Sequence, residues 1–311
     1  MPSLQQLRYL VAVADTLHFR RAAELSHVTQ PTLSAQLKEL ELRLGVTLVE
    51  RNRSRVLLTP VGTEVVDRAR RVLREVDEIR QTAQRGQRPL SGTLRAGVVQ
   101  SLGSYLFPLI APDLHDTYPA LRLYIREGLP ETLLRQLEAG TLDFLFHPLP
   151  IERRDIETVA IFDEPLMVVM PRDHPLAAGA TVDRRRLKGE TLLTLEPGHR
   201  LYEQMRALAE EFEAELSHDY EGTSLDTLRQ MVAMGMGLSL LPALYVRSEV
   251  ARETLVTARP ISGAPPSRTV GMAWRRGTAH AEEFRQLARL AARVLARDAP
   301  EVRVTFADPT I

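Results

Sequence analysis

Between Phe19 and Val49 the chain reads FRRAAELSHVTQPTLSAQLKELELRLGVTLV, and no other stretch restricts the fold as tightly. Two helical patterns meet at a break: Arg20 to Ser26, a turn through His27 and Val28, then Gln30 to Leu44. Thr29 can cap the second helix, and Pro31 falls in its first turn, where a missing backbone N–H is no loss. Ala22 and Ala23 are small enough to let the first helix approach. Leu33, Leu37, Leu40 and Leu44 share one helical face, so that side is expected to pack inward, with Pro31, Thr32, Ser34, Ala35 and Lys38 left on the flanks and far side. This outward surface is small, polar and thinly charged. It suits a DNA major groove, where Gln and Ser/Thr hydrogen-bond base edges and a threonine methyl meets thymine. An ordinary αα-hairpin of an all-helical core has the same pattern, and the flanks must separate the two.

Upstream, Leu4, Leu7, Leu10, Val11 and Ala14 recur at helical spacing, giving a helix from Ser3 to Ala14 that backs the hairpin. Gly45 ends the second hairpin helix. The following TLVERNRSRVLLT reads as strands at 47–50 and 56–59 around a turn carrying Arg51, Arg53 and Arg55. That is a wing whose guanidinium groups suit phosphates or a narrow minor groove, although a solvated loop has the same composition. Next, Gly62, Val65, Ala69, Val72, Val76, Ile79 and Ala83 alternate steps of three and four among charged residues. A seam of this kind predicts a homodimer through a long helix; packing on its own domain is the alternative. Residues 86–92, with Gly, Pro and Ser, form a hinge.

Net charge over the 311 residues is zero, but its distribution is uneven. Residues 1–90 hold 15 Lys+Arg and 10 Asp+Glu, against 25 and 30 in the remainder. A basic N-terminal third beside an acidic body fits a DNA-binding module on a soluble carrier. Cysteine is absent, which excludes disulfides, thiolate metal sites and cysteine nucleophiles. With no apolar signal core and no run of membrane-spanning length, a cytoplasmic protein is expected.

Beyond Gly92 short apolar strands alternate with amphipathic helices. Strands are expected at 93–99, 122–127, 143–146, 166–170, 191–195, 220–223, 238–241 and 269–274, and helices at 105–117, 131–139, 201–215, 225–234 and 280–296. The alternation predicts open α/β sheets with helices on both faces and ligands at strand C-termini and helix N-termini. Residues 301–311 read as a loose tail.

The run FRRAAELSHVTQPTLSAQLKELELRLGVTLVER followed by LTPVG closely resembles the LysR-type transcriptional regulators, and the order of hairpin, wing, long helix and α/β body extends the likeness over nearly the whole chain. The resemblance implies a winged helix-turn-helix (1–59), a dimerising linker helix (60–91) and a two-lobed α/β domain like the type 2 periplasmic binding proteins (92–300). Lobe I would comprise about 92–163 and 269–300, and lobe II about 164–268. It further implies promoter DNA, a small-molecule effector and RNA polymerase as partners, and a tetramer built as a dimer of dimers. Segments such as IFDEP, MPRDHPLA, LLTLEPGH and TSLDTLRQMVAMGMGLSLLPAL resemble the OxyR-like peroxide-sensing members. Where those carry their two cysteines this chain has Arg200 and Ala209, so a disulfide switch cannot operate.

The resemblance and the residue chemistry together nominate two sites. For DNA they are Gln30, Pro31, Thr32, Ser34 and Lys38 on the helix and Arg51, Arg53 and Arg55 on the wing. For the effector, the resemblance points to Ser101, Pro130, His199, Arg200, Thr223 and Ser224. Ser101 precedes a helix start and could offer its hydroxyl to an anion. Pro130 removes a donor, and Arg200 could hold a carboxylate through two parallel hydrogen bonds. A small organic acid is the expected effector. His115, His147, His174, His199 and His218 lack metal-ligand spacing, so neither metal nor cofactor is assigned, and no catalytic constellation stands out. Met231, Met234 and Met236 suit helix packing, or alternatively an oxidant sensor working through methionine sulfoxide. The rival class is a solute-binding α/β protein that never touches DNA.

Overall fold

The structure, a computed structural model, describes residues 1–51, 56–84 and 90–306. It divides into two units, Met1–Arg88 with Ala139–Thr141, and Pro89–Glu138 with Leu142–Ile311.

The N-terminal unit runs α1 (Leu4–Thr16), α2 (Phe19–Leu25), α3 (Gln30–Leu44), β1 (Val49–Arg51), β2 (Val56–Leu58) and α4 (Pro60–Gln84). Ser3 starts α1 with a capping box: its hydroxyl accepts from Gln6 N at 3.2 Å and Gln6 Oε1 accepts from Ser3 N at 3.0 Å. The core collects Tyr9, Leu10, Val13, Ala22, Ala23, Leu33, Leu37, Leu40, Leu48 and Val66. Leu33, Leu37 and Leu40 are fully buried, each contributing roughly 1.5–3 kcal/mol. Leu44, expected on the same face, is instead 37% exposed. The helix ends at the next residue, Gly45, in the left-handed conformation at φ 70°, which places Leu44 past the edge of the core.

The linker helix departs from the expectation that its whole apolar stripe lacks a home. Gly62, Val66 and Ala69 are buried within the unit, and Arg70 pairs with Asp15 of α1. A Cβ on Gly62 would lie 2.0 Å from Leu48 O, so only glycine allows this approach. Further along, Val72 and Ile79 are 44% and 68% exposed. Among the described stripe residues, Gly62 and Ala69 are therefore consumed at home while Val72 and Ile79 are presented outward.

The C-terminal unit contains β3 (Gly92–Val99), α5 (Gly103–Thr117), β4 (Leu121–Gly128), α6 (Pro130–Glu138), β5 (Phe144–Pro148), β6 (Ile156–Pro171), β7 (Thr191–Leu195), α7 (Arg200–Glu211), β8 (Glu215–Gly222), α8 (Leu225–Ala233), β9 (Ser239–Pro242), α9 (Ala243–Ser248), β10 (Val256–Pro260), β11 (Ser267–Arg275), α10 (Ala281–Asp298) and β12 (Arg303–Val304). The main sheet has the order β10-β6-β11-β5-β3-β4, with β9 and β12 also on β6, while β7 and β8 form a parallel pair. The 16-residue β6 joins two lobes. Its first half pairs with β11 and β12, its second with β9 and β10. Each lobe has its own core, one around Phe144, Phe162, Trp274 and Phe284, the other around Leu192, Leu193, Leu228 and Leu240. Tyr105 packs on both, meeting Tyr245 edge-on at 5.1 Å.

Three expectations shift. The strand expected at 166–170 begins at Ile156; Glu157, Asp163 and Glu164 interrupt the apolar pattern of its first half and set the run at 166–170 apart. The strand expected at 220–223 is Glu215–Gly222. The tail is not loose up to Phe306: β12 pairs with β6, Thr305 N and Phe306 N both donate to Ile161 O, and Val302, Val304 and Phe306 pack on the lobe I core. An open strand edge has unpaired backbone groups to satisfy, and these residues satisfy part of it. No helix among the described residues is long and apolar enough to cross a membrane.

Candidate functional site

Two constructions stand out, one in each unit. On α3 the buried leucines orient the helix, and the opposite side carries Gln30, Pro31, Thr32, Ala35 and Lys38 exposed, with Ser34 half-buried. Thr29 caps this helix, its hydroxyl accepting from Thr32 N at 3.4 Å and lying 2.8 Å from Thr32 Oγ1. Pro31 occupies the first turn. The expected reading surface is thus presented on a helix anchored from behind. Arg51 closes β1, while Arg53 and Arg55 lie outside the described residues.

In the C-terminal unit a cavity of about 420 Å³ is lined from lobe I by Pro130, Glu131, Leu134, His147, Pro150, Ile151, Glu152 and Arg153, and by Gly198, His199, Arg200 and Glu203 at the start of α7. Three of the six expected effector residues meet here: Pro130, His199 and Arg200. The other three do not line it. Ser101 is buried, and its hydroxyl and carbonyl accept from Arg268 Nη1 and Nη2 at 2.7 and 2.9 Å. Arg268 also donates through Nε to Glu164 at 2.8 Å, and the other Glu164 oxygen accepts from Leu244 N at 2.9 Å. Ser101 therefore belongs to a buried ionic network that ties the strands joining the lobes. Ser224 caps α8, accepting from Thr227 N at 3.2 Å, and Thr223 is exposed beside it. The Ser101 and Ser224 hydroxyls, offered to a ligand by sequence, are here engaged in holding the fold.

The cavity's electrostatics follow from its lining. Arg153 pairs with Glu131 at 2.6 Å. Arg200 is exposed and has no carboxylate partner among the described residues; it opens α7, where the helix dipole disfavours a cation. His147 and His199 are buried, and Nε2 of each has no hydrogen-bond partner among the described residues. His147 Nδ1 lies 2.6 Å from Pro148 O, which as an acceptor fixes the proton on Nδ1. Burial lowers the pKa of both imidazoles, and at His147 the nearby Arg200 adds to the effect. Burial thus disfavours the charged form of both rings beside a guanidinium that has no carboxylate partner among the described residues. Among the described residues no group of three or more His, Asp or Glu could hold a metal.

The sequence pattern left no sign of His147, Arg153 and Glu203 in the cavity, or of Glu164 in the buried network. Only Arg268 left a trace, a charge in an otherwise apolar strand pattern.

Both units have counterparts among known proteins. Residues 4–63 match the bacterial regulatory helix-turn-helix protein model of the lysR family, and residues 87–296 match the LysR substrate binding domain. The chain is 42% identical over 286 residues to the DNA-binding transcriptional dual regulator OxyR of Escherichia coli (strain K12), covering 92% of this chain and 93% of that one. It is 33% identical over 287 residues to the HTH-type transcriptional regulator EstR of Acinetobacter baylyi, covering 91% and 94%. A full-length OxyR from Pseudomonas aeruginosa carrying a cysteine-to-aspartate substitution superposes with a TM-score of 0.79 at 39% identity, covering 94% of this chain and 98% of that one.

Proposed function

The chain belongs to the LysR family of transcriptional regulators, with a helix-turn-helix DNA-binding domain and an effector-binding domain, and from that premise we propose that its effector is a small organic monocarboxylate seated beside Arg200. The rival reading as a solute-binding protein without DNA function falls with the family assignment, and this is a family of regulators rather than of enzymes. The carrying observation is the Arg200 guanidinium, which lines the cavity without a carboxylate partner among the described residues, beside two buried imidazoles whose charged form burial disfavours. A carboxylate offers it parallel hydrogen bonds and complements the N-terminal end of α7. Glu131, Glu152 and Glu203 in the same wall disfavour a second negative charge on the ligand. Differential affinity of that ligand for two lobe arrangements would drive the switch.

The regulator acts in the cytoplasm on promoter DNA, with RNA polymerase as partner, and assembles as a homodimer, then a tetramer, using the outward half of the α4 stripe at Val72 and Ile79. The peroxide chemistry named for its relatives cannot pass through a disulfide, since the chain has no cysteine. A second reading, oxidant sensing by methionine, rests on Met234, which is 65% exposed at the end of α8.

Calorimetric titration with acetate, benzoate and succinate tests the main reading. Wild type is expected to bind a monocarboxylate that Arg200→Ala does not; equal binding by both proteins removes Arg200 from the site.

A further inference from the structure

Glu41 lies on α3, two turns beyond Ser34 toward the helix's C-terminal end, and is half-buried. Its Oε1 accepts two backbone hydrogen bonds, from Leu48 N at 2.8 Å and Val49 N at 3.0 Å. These amides belong to the segment that leaves the helix and enters the wing. Leu48 and Val49 are both buried, so the donors have no ready access to water. Val49 then pairs with Leu58 across the wing, and Leu48 O accepts from Thr59 N at 3.0 Å. Thr59 Oγ1 in turn donates to Thr47 O at 2.8 Å and accepts from Gly62 N at 2.8 Å. One carboxylate on the recognition helix thus fixes the base of the wing, and the threonine clamp fixes the same segment from the linker-helix side.

We propose that Glu41 is a positioning residue for DNA binding: it locks the wing to the recognition helix so that both elements meet the duplex as one rigid body. The inference rests on the reading that the wing touches DNA. A charged acceptor serving two buried amides makes a stronger tie than a neutral one, and removing it leaves both donors unpaired. The recognition helix does not need this tie for its own orientation, since Leu33, Leu37 and Leu40 anchor it independently.

The test uses the full-length chain and a duplex carrying its own upstream region, with hydroxyl-radical footprints and affinities measured across a salt series. Glu41→Ala is expected to keep protection over the bases beneath α3, lose protection on the flanks, and lower affinity about tenfold. Its salt slope should fall by about one for each phosphate that the wing no longer reaches. Glu41→Gln, which keeps an oxygen acceptor without the charge, is expected midway between. Arg53→Ala with Arg55→Ala should reproduce the flank loss, and adding Glu41→Ala to that pair should change nothing more. A wild-type flank in either Glu41 variant, or fully additive losses in the combined variant, overturns the proposal; should Glu41→Ala not fold, the Glu41→Gln flank decides. No affinity loss in the Arg53/Arg55 variant overturns it differently, by removing the wing from the DNA altogether.

Discussion

The recognition helix and the cavity at the start of α7 present polar side chains by opposite means. On α3 one element supplies the whole surface, and its orientation follows from three buried leucines at helical spacing. The cavity is assembled from the start of α6, the end of β5, the loop after it and the start of α7, and its shape depends on how two lobes are tied together. The contrast teaches where a hydroxyl or a charge is free to act. On the helix the polar residues lie opposite the core and remain available. Elsewhere in the C-terminal unit Ser101 and Ser224 are consumed by an arginine and a helix start, and the groups left over are those whose partners the fold does not provide.

The largest test of this contrast is the buried ion pair of the C-terminal unit. Glu164 is fully buried and its partner Arg268 nearly so. Glu164→Ala strands that guanidinium, and denaturant melts of the C-terminal unit within the full chain are expected to show a loss of about 3–5 kcal/mol. Replacing both partners, Glu164→Leu with Arg268→Met, should recover most of it. A single variant as stable as wild type would show that the network does not hold the lobes.

Smaller in energy but sharper in meaning is Gln30→Ala. Gln30 is exposed at the start of α3, so its thermal midpoint should match wild type while binding to the preferred duplex weakens by about 1–3 kcal/mol. Discrimination at one base pair should relax. Equal weakening on every sequence would assign Gln30 to phosphate, and a lowered midpoint would deny the separation of surface from core.

The weakest effect is a pH dependence. Folding lowers the pKa of His147 and His199 through burial, below the ordinary imidazole value of about 6.5. Under acid the unfolded chain takes up protons that the folded imidazoles refuse, so this contribution is present above pH about 6.5 and is lost as pH falls toward the folded values. Urea melts between pH 8 and 5.5 should show that decline, flattened in His147→Gln with His199→Gln. An undiminished slope in the double variant would place its origin elsewhere.

Much of this molecule was determined by local sequence alone. Thr29, Pro31, the leucine spacing and Gly45 specify a capped, amphipathic, terminated helix, because capping and periodicity act over a few residues and need no distant partner. The strand and helix alternation beyond Gly92 announced the α/β body for the same reason. What only tertiary structure decided is which polar groups are spent. Ser101 and Arg268 lie far apart in sequence, as do Glu164 and Leu244, and nothing local tells that they will hydrogen-bond one another. The same holds for the linker stripe, whose first half finds a home against α1 while Val72 and Ile79 do not. Pairing across long loops depends on the packed geometry of two lobes, and a residue's freedom to bind is defined only after that packing has taken its share.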